Sequence, residues 1–141
     1  MANIYIHYPF CKKACHYCNF HFSTKLKNQS IVLESILKEI ELRSDEIISP
    51  IESIYFGGGS PSLMEASHIE KILNKIFKKH KTKNNLEVTL ELNPDDFSKN
   101  YINEIKNYGV NRISLGVQSF DEFELKLLNR NHSPYRSIKA L

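Results

Sequence analysis

No run of 18 or more apolar residues occurs in the 141-residue chain, so no membrane-spanning helix is expected. Charge of one sign is also scarce. The net charge of +3 is too small to argue for a nucleic-acid partner. The opening MANIYIHYPFC has neither a charged leader nor a long apolar segment, so no secretory signal is expected and a cytoplasmic location follows. Cysteine is limited to three residues, and pairing would leave one over. In a reducing cytosol clustered thiols more often bind metal than form disulfides. Low-complexity linkers and internal sequence repeats are missing as well.

What remains is ordinary in bulk. Apolar residues make up 41% and charged residues 25%, as in a globular domain with a real core. The order of patterns is more informative. NIYIHY (3–8) is short, rich in β-branched and aromatic residues, and closed by Pro9, as a strand would be. From Ile31 to Ile48, Leu33, Ile36, Leu37 and Ile40 recur at helical spacing. IESIYF (51–56) predicts a second strand that ends in three glycines. Ile69, Ile72, Leu73, Ile76 and Phe77 mark a helix between Glu65 and His80, with Ser62 and Glu65, or Ser67 and Glu70, as its capping box.

LEVTLEL (86–92) predicts a third strand and VNRISLGV (110–117) a fourth. Between them Ser98 is a suitable N-cap for a helix carrying Ile102 and Ile105 and stopping at Gly109. Asp121 and Glu124 cap a further helix through Leu125 and Leu128, and one more begins at Pro134. The basic segment KKHKTKNN (78–85) reads as a solvated helix end. The expected class is α/β, with about four βα units around a parallel sheet. A closed eight-unit barrel needs about 250 residues. Residues 1–141 are therefore expected to be the N-terminal part of one core domain, a partial TIM-type barrel not closed in this chain.

Cys11, Cys15 and Cys18 follow the first strand with the spacing C-x3-C-x2-C. Three readings stand: incidental thiols, a zinc site completed by His7, His16 or His21, or an iron–sulfur cluster. Against zinc, no second C-x2-C knuckle exists. In a cubane cluster three thiolates leave one iron open to an external ligand, and an open metal position means chemistry. Tyr17 and Phe20 would add an apolar shell that controls solvent access and redox potential.

This triplet, with an aromatic residue before its last cysteine, resembles the hallmark of the radical SAM superfamily. YIHYPFCKKACHYCNF, IYFGGGSPSL, LELNPDD and NRISLGVQSFDEFELKLLNRNH occur in the order of one branch, from residue 3 to about residue 133. That branch holds the oxygen-independent coproporphyrinogen III oxidases and the HemW-type haem chaperones. The resemblance implies a [4Fe–4S] cluster on the three cysteines. Its open iron would bind S-adenosylmethionine (SAM), whose reductive cleavage gives a 5′-deoxyadenosyl radical.

Further roles come from the same resemblance. Gly57, Gly58, Gly59 and Ser60 are similar to the stretch that receives the methionine amino group, and glycines also let backbone approach a ligand closely. Glu91 and Gln118 resemble SAM contacts at two strand ends, and a carboxylate in an apolar strand costs desolvation unless paired. Arg130 resembles an arginine near the SAM carboxylate, and Tyr5 a tyrosine near the cofactor. Tyr5 and His7 share one face of the first strand by alternation; His132 matches the family without an assigned role.

Two departures from the family pattern stand out. Phe20 stands where the oxidases usually have a further cysteine, which tilts the chain toward the chaperones, and Asn19 replaces a more usual aspartate as a tolerated swap. The implied function is haem binding and delivery, with radical decarboxylation of coproporphyrinogen III to protoporphyrinogen IX as the alternative. The implied partners are SAM, haem or a porphyrinogen, an electron donor such as flavodoxin or ferredoxin, and haem-accepting apo-proteins.

Overall fold

Alternation in ANIYIHY turns Ile4, Ile6 and Tyr8 to one side and Asn3, Tyr5 and His7 to the other. In the computed structural model, which describes residues 2–141, this segment is strand β1 (Ala2–Tyr8). Strands β2 (Ile51–Gly58), β3 (Thr82–Leu92) and β4 (Arg112–Leu115) join it. All pairings are parallel and the strand order is β1-β2-β3-β4. Each strand is added beside its predecessor on the same edge, the progression of a (βα) barrel rather than of a doubly wound sheet. The sheet stays open after four strands.

Between the strands run helices α1 (Gln29–Leu42), α2 (Ala66–Lys79) and α3 (Lys99–Asn107). Helices α4 (Glu122–Leu127) and α5 (Pro134–Ala140) follow β4. Helices α1, α2 and α3 share one core with one face of the sheet. On that face Ile6 pairs with Phe56 and Phe56 with Leu90, all buried. Helix α2 adds Ile69, Ile72, Leu73 and Ile76, spaced three or four apart and buried. Each such side chain contributes about 1.5–3 kcal/mol by leaving water. The other face is polar: Tyr5 pairs with Tyr55, Tyr55 with Thr89 and Glu91 with Ser114.

Several helix ends form as expected. The Ser98 hydroxyl accepts from the Tyr101 N–H at 3.1 Å, and the Asp121 carboxylate accepts from the Glu124 N–H at 2.9 Å. Gly109 ends the α3 turn at φ +111°, a conformation that favours glycine.

Four expectations change. Helix α1 stops at Leu42 and not near Ile48, because Arg43 bonds Glu39 and Glu46 and a 3-10 turn (Ser44–Glu46) follows. Neither capping box forms. Glu65 is the N-cap of α2 without a side-chain bond, and the Ser62 hydroxyl donates instead to Asp96 at 2.7 Å. The basic segment 78–85 is split: α2 ends at Lys79, and β3 begins at Thr82 because Ile51 N–H pairs with the Lys81 carbonyl at 2.9 Å. Strand β4 is shorter than 110–117, since Val110 N–H still bonds the Ile105 carbonyl of the α3 end. No helix among the described residues is long and apolar enough to cross a membrane.

Candidate functional site

The cysteines sit on a loop that leaves the C-terminal end of β1 and is tied at both ends. Cys11 N–H donates to the Ser23 carbonyl at 3.1 Å, and Ser23 N–H to the Pro9 carbonyl at 2.7 Å. The middle of the loop is held by the end of α4. His16 donates through its backbone N–H to the Leu128 carbonyl at 3.2 Å and through Nδ1 to the Leu127 carbonyl at 2.8 Å. Asn129 Nδ2 donates to the Ala14 carbonyl at 2.6 Å. Lys12 forms ion pairs with Asp96 and, at 3.7 Å, with Asp95, tying the loop to the turn after β3.

All three cysteines are free and half-buried. They line a cavity of about 230 Å³ at the C-terminal ends of the strands. Burial pushes the Cys11 thiol up from its ordinary pKa, while the Ser60 hydroxyl at 3.8 Å opposes that shift.

Two of the three glycines are required by the protein itself, Gly58 by its backbone angle and Gly59 by the Phe10 main chain. A Cβ at Gly57 would lie 2.9 Å from the Tyr5 ring, and one at Gly58 2.9 Å from the His7 ring. At Gly59 it would lie 2.5 Å from the Phe10 carbonyl oxygen. Only Gly58, at φ +112°, also needs the left-handed region. Gly58, Gly59 and Ser60 line the cavity. Gly57 does not, being covered by Tyr5.

Arg130 ties the cysteine loop to the ends of β3 and β4. Its Nη1 donates to Cys15 Sγ and to the Tyr17 hydroxyl, each at 3.3 Å. Nη2 donates to Asn93 Oδ1 at 2.7 Å and to the Gly116 carbonyl at 2.9 Å. A Cβ at Gly116 would lie 3.4 Å from Asn93 Oδ1 and Gln118 Nε2 and 3.5 Å from Arg130 Nη2, so the three polar groups meet there. Gln118 adopts φ 66°, unusual for a side chain of its length. Glu91 accepts from the Tyr55 hydroxyl at 2.8 Å. Burial pushes the Tyr55 phenol up, and the bond to Glu91 adds to the shift.

Of the residues singled out by sequence, the cavity gathers Cys11, Cys15, Cys18, Gly58, Gly59, Ser60, Glu91, Gln118 and Arg130. Tyr5 lies outside it, on the polar sheet face, stacked on Tyr55 with ring centres 5.9 Å apart. Burial raises the Tyr5 pKa, and the Glu91 charge raises it further. The histidines are engaged elsewhere. His7 Nε2 meets the His21 carbonyl at 3.2 Å, and buried His132 donates from Nε2 to the Val117 carbonyl at 2.9 Å. Asn93, Lys12 and Asp96 were not legible as site residues. The hint lay in LELNPDD, where Asn93 follows Glu91 directly after the strand.

Among the described residues, no three His, Cys, Asp or Glu side chains converge to grip one ion. A zinc ion asks its ligands to meet at a single centre. A cubane cluster does not, because each thiolate takes its own iron. Three free thiols lining one cavity, with a guanidinium beside one sulfur, fit that group. Arg130 Nε, buried and without a partner, leaves a further donor at the same place.

Comparisons with known proteins agree. The profile of the radical SAM superfamily matches residues 5–141. The chain is 37% identical over 142 residues to "Radical S-adenosyl methionine domain-containing protein 1, mitochondrial" of Danio rerio, covering 99% of this chain and 32% of that protein. It is 34% identical over 143 residues to "Heme chaperone HemW" of Buchnera aphidicola subsp. Acyrthosiphon pisum, covering 99% and 38%. The solved coproporphyrinogen III oxidase (HemN) of Escherichia coli superposes with a TM-score of 0.89 at 22% identity, over 98% of this chain and 32% of that one; this likeness is one of fold. The chain thus spans about a third of the length of these relatives. With the profile matched over nearly all of its length, the chain belongs to the radical SAM superfamily, whose members hold a [4Fe–4S] cluster and SAM.

Proposed function

We propose that this chain is the cluster- and SAM-binding part of a HemW-type haem chaperone. The observation that carries the reading is one cavity lined by three free thiols together with Glu91, Gln118 and Arg130. Cys11, Cys15 and Cys18 would hold the cluster and leave one iron open. Glu91, with backbone carbonyls of the Gly57–Ser60 stretch, would take the ammonium of SAM. Gln118 would take its carboxylate, with the Arg130 guanidinium nearby supplying positive charge. When bound, the cluster supplies the electron that cleaves the SAM sulfonium. Tyr5, lying over Gly57, would close the floor beneath that stretch.

Haem binding and delivery rest on the HemW relatives, among them that of Lactococcus lactis at 37% identity. The competing reading is oxidative decarboxylation of coproporphyrinogen III. It is disfavoured by Phe20, an exposed apolar side chain on the cavity rim where the oxidases resemble one another in having a cysteine. This function requires a one-electron donor of the flavodoxin or ferredoxin type and apo-proteins that accept haem. A compartment that keeps the thiols reduced, the cytoplasm, suits it.

Anaerobic reconstitution with iron and sulfide tests the cluster. We expect broad visible absorption that bleaches with dithionite; a colourless chain carrying one zinc ion would refute it. The longest polypeptide containing this chain should then be titrated with haem, and separately given coproporphyrinogen III, SAM and a reductant. Haem binding without protoporphyrinogen formation is expected. Turnover to protoporphyrinogen would assign the oxidase reaction instead.

A further inference from the structure

Two of the three cysteine sulfurs are joined by one polar chain, and its centre is Asn93. On one side Asn93 Nδ2 donates to Ser60 Oγ at 2.7 Å, and Ser60 Oγ lies 3.8 Å from Cys11 Sγ. On the other side Asn93 Oδ1 accepts from Arg130 Nη2 at 2.7 Å, and Arg130 Nη1 reaches Cys15 Sγ at 3.3 Å. Cys18 has no such arm. Ser60 is buried, so its hydroxyl has few other partners to choose from.

The direction of every bond follows from what each group can do. A guanidinium only donates, so the carboxamide must turn its oxygen to Arg130. Its NH2 then faces Ser60. Because Ser60 Oγ accepts there, its own proton is free to point at Cys11. Asn93 therefore sets both arms to donate toward sulfur. No other residue of this size does so: aspartate cannot donate to Ser60, and an apolar side chain serves neither arm.

Donors aimed at cysteine sulfur stabilise the more negative, reduced state of a cluster and raise its potential. We propose that Asn93 is a positioning residue that, through Ser60 and Arg130, sets the reduction potential of the cluster and makes Cys18 electronically distinct from Cys11 and Cys15. The proposal rests on the cluster reading given above.

The test is a mediated redox titration of the reconstituted chain, followed by EPR of the reduced cluster. With N93L, which removes the group that orients both arms, iron and sulfide content stay at the level of the unaltered chain. The equilibrium constant for one-electron reduction falls about tenfold, a potential ~59 mV more negative. N93D keeps an acceptor for Arg130, but the Ser60 hydroxyl turns to the new carboxylate, so the potential falls there too and the EPR signal changes. S60A removes only the Cys11 arm and gives a smaller fall, and combining it with N93L adds little, since both act through one chain. Unchanged potentials in cluster-loaded N93L and N93D overturn the proposal and leave the cluster reading intact. Failure of all three variants to take up cluster also overturns it, because Asn93 would then serve assembly. An unaltered chain that takes up no cluster overturns both.

Discussion

Gly59 lies against the main chain of Phe10. Gly59 N–H donates to the Tyr8 carbonyl at 2.8 Å, and the next N–H, of Ser60, donates to the Phe10 carbonyl at 2.7 Å. The β1–β2 pairing thus continues past both strands and delivers the cysteine loop beside the glycine run. G59A would force a methyl to within 2.5 Å of the Phe10 carbonyl oxygen. Overpacking of this kind costs about 1–3 kcal/mol. Urea unfolding should report that loss, and reconstituted iron should fall with it because Phe10 precedes Cys11. A variant as stable as the parent would show that the loop can yield.

Each of Cys11, Cys15 and Cys18 is expected to be necessary for the cluster. C11A, C15A and C18A should lose the visible absorption and most bound iron while keeping the far-ultraviolet circular dichroism of the parent. The thiols are only half-buried, so the fold does not depend on them. A variant that retains a full cluster would remove that cysteine from the ligand set.

Glu91 should act on SAM and not on the cluster. Its carboxylate stands at the end of β3 with one partner from the protein, Tyr55. Hydrogen bonds to charged groups contribute about 1.5–3 kcal/mol. Isothermal titration of reconstituted E91Q should therefore show SAM affinity lowered by roughly ten- to a hundredfold, with iron content unchanged. Equal affinities would take Glu91 out of the site.

His132 should make stability pH-dependent. Burial lowers its pKa, only partly offset by its bond to the Val117 carbonyl. The unfolded chain thus takes up a proton at His132 near pH 6.5, where the folded chain resists it. The unfolded state binds more protons in that window, so stability falls as pH drops from about 6.5 through the lower folded-state value. In H132Q this part of the slope should vanish. Unfolding midpoints of parent and variant at pH 7.5 and 5.5 check it: the difference between the proteins should shrink at the lower pH.

The strands and the apolar faces of α2 and α3 were legible because periodicity is a local property. Ile69, Ile72, Leu73 and Ile76 must share one side of a helix wherever it lies. Errors fell where a distant segment competed for a local partner. Ser62 forms no capping box because Asp96, from beyond β3, takes its hydroxyl. The polar stretch joins a strand because β2 reaches its start, where Ile51 pairs with Thr82 and its N–H bonds the Lys81 carbonyl. The early end of helix α1 is instead a local matter, with Arg43 pairing to Glu39 and Glu46 four and three residues away.

The same division runs through the site. The chain's own order of residues determined the cysteine spacing, the glycine run and the carboxylate at the end of β3, since each is written within a few neighbours. Only the tertiary structure decided that Gly59 is demanded by the Phe10 main chain, and that Asn93 stands between two sulfurs. Those relations join segments 33 or more residues apart along the chain, which the parallel strand pairing and the loops at its C-terminal end bring together. Sequence spacing records which groups exist, and the register of β1, β2, β3 and β4 determines which of them touch.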